Sequence, residues 1–175
     1  MKKFFLFIAM AVSAMTASAQ EEGYWGNKFF DNWYVGIQGG VDAKTTHSAV
    51  FKHLTPNVGL RVGKWLTPSV GLAAEGTYFF PNQMYTSLDA KGFNANFLGQ
   101  INLSNAIGGY KGEPRCFEVI LNGGIGYIHN STDDNDLAIG TIKNAMTSKI
   151  ALDFAFNFGN RKQWQFYIEP SLNYL

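Results

Sequence analysis

Cysteine is nearly absent: Cys116 stands alone, so no intramolecular disulfide forms, and the thiol reads as a small filler rather than a nucleophile. Histidine is almost as scarce. Only His47, His53 and His129 occur, thin material for a nucleophile, a base and a group to orient it. Neither sign of charge dominates: Lys+Arg 14 against Asp+Glu 13 leaves a formal net charge of +1, so nothing points to nucleic acid. Beyond the N-terminus no apolar run reaches the roughly 20 residues a membrane-spanning helix needs. What the chain does have is 19 glycines and 15% aromatic residues, the mixture of a β-rich chain with close backbone packing.

The first residues read as an export signal. Lys2 and Lys3 form a positive n-region, Phe4 to Met15 an apolar h-region, and Ala17-Ser18-Ala19 a small-residue cleavage site. No Cys follows the cut, which argues against a lipoprotein anchor. The domain plan is therefore a signal peptide over 1–19, an N-terminal periplasmic segment over 20–30, and one β-barrel domain over 31–175.

Alternation carries the fold. Phe117, Val119, Leu121, Ile125 and Tyr127 fall on one parity, Glu118, Asn122, Gly124 and Gly126 on the other. Seven strands are predicted, over 32–41, 56–65, 69–80, 93–103, 116–129, 148–159 and 163–174. Their outer sets are greasy, for example Trp33, Val35, Ile37 and Val41, or Ile150, Leu152, Phe154, Phe156 and Phe158. Slipping the register by one would turn Arg61, Glu75, Asp153 and Glu169 outward, and a charge at the bilayer midplane costs up to about 2–4 kcal/mol, less for acids. Apolar outside and ionic inside is the reverse of a soluble barrel.

Short turns at 66–68 and 160–162 alternate with longer polar segments at 42–55, 81–92 and 130–147, the habit of outer-membrane barrels. The 104–115 connection is long for a periplasmic turn. An aromatic girdle is expected at each interface: Trp33, Trp65, Phe117, Phe158 and Trp164 at the periplasmic ends, Tyr78, Phe80, Phe93, Tyr127 and Tyr174 at the outer ends. The fold class is thus all-β, an antiparallel transmembrane up-and-down barrel of the eight-stranded type. Seven strands are present, and the expectation is a chain incomplete at its C-terminus.

The inward charges Arg61, Glu75, Glu118, Lys149, Asp153 and Glu169 are expected to form one paired network, because buried unpaired charge is expensive. Eight strands enclose only room for side chains, so a polar plug is favoured over an ion-conducting lumen. Gly123-Gly124-Ile125-Gly126 lacks the helix and the Lys-Ser/Thr of a phosphate loop, and inward glycines read as easing a tight barrel. His129 near Ser131 and Asp133 could in principle attack lipid acyl chains, but a rim histidine is the simpler reading. Asp133-Asp134-Asn135-Asp136 lacks the Gly and Glu spacing of a calcium loop. No catalytic, cofactor-binding or metal residue is assigned.

Two stretches carry a family resemblance. Lys28-Phe29-Phe30-Asp31-Asn32-Trp33-Tyr34-Val35-Gly36 is one; the other is Gly59-Leu60-Arg61-Val62-Gly63-Lys64-Trp65-Leu66-Thr67-Pro68 followed by Gly71-Leu72-Ala73-Ala74-Glu75-Gly76. They resemble outer-membrane protein A-like, porin-like barrels of Bacteroides-type bacteria. The resemblance implies an eight-stranded barrel of the Gram-negative outer membrane that links membrane to wall, sometimes with weak pore activity. The wall-binding domain that many members carry has no counterpart among these residues. The expected role is structural, in cell-envelope integrity and surface exposure, and not enzymatic. A small diffusion porin is the first alternative; a lipid-modifying enzyme and a soluble periplasmic ligand-binding barrel follow. Expected partners are outer-membrane lipid, the barrel assembly machinery during insertion, and host or phage surface molecules of unknown identity.

Overall fold

A two-residue period puts successive side chains on opposite faces of an extended chain, and the chain answers with long antiparallel strands. A computed structural model describes residues 6–12, 16–17, 29–44, 54–80, 91–131, 144–160 and 162–174. In chain order the elements are β1 (Leu6–Val12), β2 (Thr16–Ala17), β3 (Trp33–Lys44), β4 (Leu54–Trp65), β5 (Val70–Phe79), β6 (Lys91–Asn102), α1 (Leu103–Gly108), β7 (Phe117–Ser131), β8 (Asn144–Phe158) and β9 (Trp164–Tyr174). The seven long strands β3 to β9 form one curled antiparallel sheet, each paired with the next along the chain. The fold is all-β and barrel-like.

The strands fall where alternation places them, but several run further toward the long connections. Asp42 stands opposite Thr55 and Lys91 opposite Ser131, residues expected in loops or at their edges. Backbone pairing does not require an apolar side chain, so polar sequence hides the last rungs of a ladder. The long connections lie outside the described residues, and with them His47, His53 and the Asp133–Asp136 cluster.

Two elements differ from expectation. The 104–115 connection is no simple turn: α1 begins it, with Asn102 at the N-cap accepting from the Asn105 backbone N–H at 3.0 Å. Gly109 and Gly112 then reverse the chain at φ of 69° and 88°, a region that favours glycine. The second difference is at the N-terminus. Residues 6–12 and 16–17, inside the expected export signal, pair antiparallel with both β3 and β9, so pairing runs right round the sheet. Without them β3 and β9 would each present a row of unpaired N–H and C=O groups, an edge that readily templates another strand.

The two faces of the sheet have opposite chemistry. Among the described residues, 19 polar or charged side chains are buried against only 7 apolar ones. The interior is therefore polar, with a small apolar cluster of Ile120, Ala155 and Tyr167 against which Trp65 packs. Outside, Val35, Ile37, Leu60, Phe97, Ile125 and Ile150 are all more than half exposed. The close approach of strands inside is visible at Gly124, where an added Cβ would collide with the Phe97 carbonyl oxygen.

Candidate functional site

Inward parity brings Arg61 of β4, Glu75 of β5, Lys149 and Asp153 of β8 and Glu169 of β9 to one level of the lumen, each at most 5% exposed. Arg61 stands directly opposite Glu75 in the ladder. Its Nε donates to Glu75 Oε2 at 3.0 Å, its Nη2 to the same oxygen at 2.5 Å, and its Nη1 to Asp153 Oδ2 at 3.0 Å. Nη2 also donates to Glu169. Lys149 Nζ lies 2.6 Å from Glu75 Oε1 and 2.7 Å from Glu169 Oε1. Each glutamate thus bridges both cations, closing a ring Arg61–Glu75–Lys149–Glu169, with Asp153 attached through Arg61. The planar guanidinium suits this task, because its fork addresses three carboxylates at once. It also lies 5.3 Å from the centre of the Tyr167 ring.

Neutral groups extend the network. Tyr167 donates its hydroxyl to Gln38 at 3.1 Å, and Gln38 donates to Thr77 at 3.3 Å. Tyr34 donates to Gln100 at 2.5 Å, and Gln100 to Asn122 at 2.8 Å. Together the ring and these chains tie β3 to β9 across the interior. Gly63 makes this possible for Tyr34, whose ring fills the space a Cβ would need. The charges are evident from the sequence, the amides and tyrosines are not. Their signal was present as inward parity, and it was masked because Asn, Gln and Tyr are unremarkable on either face.

Glu118 corrects the expected single network. None of the ring's ion pairs includes it. Its oxygens accept from the Arg115 backbone N–H at 3.3 Å and from Asn157 Nδ2 at 3.1 Å. The reason is position: Glu118 stands opposite Ala155, two residues past Asp153 along β8, toward the mouth with the short turns. There it anchors the α1 connection. Arg115 donates to the Gly108 and Gly109 carbonyls at 2.8 and 2.5 Å and to Asn105 Oδ1 at 3.4 Å, while Asn105, 6% exposed, donates to the Pro68 carbonyl at 2.9 Å. The segment 103–116 is a cap tucked against that mouth.

Two small cavities border the ring. Arg61 and Asp153 line one of about 60 Å³, toward the cap, with Tyr34, Gln100, Asn105 and Glu118 among its walls. That is room for about four or five waters. Glu75, Lys149 and Glu169 line the other, about 20 Å³, with Asp42, Asn57 and Asn173. Neither takes a sugar or a nucleotide.

The expected girdle residues Trp33, Phe117, Phe158, Trp164, Tyr78, Phe80, Phe93 and Tyr127 are 38–51% exposed on the outer face. Tyr174 is half-buried. Trp65 is a correction. It sits on the inward parity of β4, lines the larger cavity and lies 6.4 Å from the Tyr34 ring. Lys64 takes the outer position instead, its ammonium donating to the Phe29 carbonyl at 2.6 Å and lying 5.8 Å from the Trp33 ring. His129, exposed, meets Asn144 Oδ1 at 2.7 Å, while Asp133 lies outside the described residues. Among the described residues no group of three His, Cys, Asp or Glu side chains is arranged to hold a metal. No protein-family model, curated protein or solved structure matches the chain.

Proposed function

We propose that the protein is a structural β-barrel of the Gram-negative outer membrane, exported by a cleaved signal, with a role in envelope integrity and display of its long connections at the surface. One observation carries the reading: a continuous apolar band faces outward around an interior held by ions and amides. In water such a molecule would expose many large apolar side chains, far beyond the scattered few of a soluble surface. In a bilayer the same band is solvated by lipid and every strand hydrogen bond is made within the sheet. The aromatic residues at both ends of the strands fit the two interfaces.

The reading favours a plug over a pore. Arg61, Lys149, Glu75 and Glu169 hold one another at hydrogen-bond distance across the lumen, and the neighbouring cavities are water-sized. The charges serve the fold, and the surface and the lipid contact serve the cell. The kinship with outer-membrane protein A-like barrels belongs to this proposal and rests on the resemblance alone. Fractionation tests it: the chain should sediment with outer membranes and, unboiled, migrate on gels as a compact form that heating abolishes. Recovery from the periplasm without detergent would overturn it. Loss of the gene should sensitise cells to detergent; an intact barrier without it would remove the integrity role.

A further inference from the structure

Residues 29–32 form a turn just before β3, outside the strands, yet three bonds fix them at the mouth with the short turns. The Trp65 backbone N–H donates to the Asn32 carbonyl at 3.0 Å. The Phe29 carbonyl accepts from Trp33 Nε1 and from Lys64 Nζ, each at 2.6 Å. Asn32 takes a φ of 63°, a left-handed conformation that asparagine tolerates better than most residues. The pinned turn holds two rings in the open: Phe29 is 70% and Phe30 85% exposed, and their centres lie 5.1 Å apart, edge to face. Lys64 stands beside them on the outward parity of β4, with Trp33 and Leu72 as its neighbours in the two ladders. Its ammonium lies 5.4 Å from the centre of the Phe29 ring and 5.8 Å from that of Trp33.

We propose that Phe29, Phe30, Trp33 and Lys64 form a site for an anionic glycerophospholipid at the rim of the barrel. The rings lie at the boundary between acyl chains and headgroups, and the Lys64 ammonium meets the headgroup phosphate. The patch continues the outward apolar band. Val35 and Val62, paired two residues inward from Trp33 and Lys64, are 52% and 39% exposed. Moving toward the mouth, the surface passes from aliphatic side chains to amphipathic rings and then to a cation. A bilayer passes from hydrocarbon to interface to headgroup in the same order. Lysine suits the last place, because its stem lies along apolar surface while its compact charge attracts anionic headgroups. This continuity favours lipid over a protein partner, which would meet the rings from the aqueous side. The site rests on the proposed location and adds to it a headgroup preference and a leaflet, the periplasmic one, toward which the short turns face in that reading.

The test uses the full chain folded into vesicles of mixed phosphatidylcholine and phosphatidylglycerol. A fluorescent label is carried on Phe30→Cys in a Cys116→Ser background. A nitroxide on the lipid headgroup should quench this label more than one midway along the acyl chains, and more than aqueous iodide does. Headgroup-nitroxide phosphatidylglycerol should reach half its full quenching at about threefold lower membrane fraction than the phosphatidylcholine equivalent, the worth of one exposed ion pair. Lys64→Met should erase that preference and Lys64→Arg should keep it. If Lys64→Met fails to fold, the comparison of the two lipids on the chain with Lys64 intact decides. Equal action of the two lipids there would overturn the proposal, as would quenching by iodide alone, the result expected of rings that await a periplasmic protein. A second label, at Ile125 in the middle of the band, separates this site from the proposed location. Lipid contact at Ile125 with iodide contact at Phe30 overturns the site alone, and iodide contact at both overturns both.

Discussion

The outer band and the lumen are built from alternate residues of the same strands, yet they are energetically unlike. Phe97 is 58% exposed and its neighbour Leu98 is fully buried; Phe156 is 44% exposed and Asn157 only 8%. On the outside each apolar side chain contributes by its own area, so losses there should add. In the lumen Glu75 and Glu169 each contact both Arg61 and Lys149. Removing one member there strands several others. The band is distributed and the ring is concentrated, which makes the ring the place where single substitutions do most harm.

The largest effect should come from Arg61→Ala, which leaves three buried carboxylates with one cation. Breaking a buried pair typically costs about 3–5 kcal/mol, and the compact unboiled form should vanish from gels. Glu169→Gln added to Arg61→Ala should cost much less than the sum of the two alone, because the two side chains are each other's partners; strict additivity in urea titrations would break the contrast with the outer face. Next comes Leu60→Arg on the band. It should cost about 2–4 kcal/mol near midplane in lipid vesicles, and combining it with a distant outer change such as Ile150→Ala should give a simple sum.

Smaller again is Arg115→Ala, which removes the bonds to the Gly108 and Gly109 carbonyls that brace the cap from within. A loss of about 1 kcal/mol is expected, with faster amide exchange confined to 103–116. Exchange spreading into the ring strands would join what the account keeps separate. The smallest effect belongs to His129→Ala. It should change stability by less than about 0.5 kcal/mol, as for ordinary surface sites, and leave lipid A unaltered by mass.

Much of this was legible in the sequence because a strict period of two leaves only two choices of face, and Arg61, Glu75, Asp153 and Glu169 settle between them. The register followed from that choice, and five of the six charges expected to face inward meet in ion pairs. Glu118 does not, because parity gives the face but not the height along a tilted strand. Trp65 was misplaced for a related reason: tryptophan at a strand end suits an interface, and only its parity shows that it turns inward. The cap formed by α1 had no apolar periodicity to announce it, being held by Asn102, Asn105 and Arg115 through polar bonds. The pairing of residues 6–12 was hidden by composition, since LFIAMAV serves a leader and a strand equally well.

The direction of the side chains is tested most directly by a fluorescent label on a single cysteine at Ile125, in a Cys116→Ser background, with the protein in lipid bilayers. Nitroxide spin labels placed midway along the acyl chains should quench it strongly and aqueous iodide weakly. Strong quenching by iodide with none from the lipid labels would put that face in water and contradict the account.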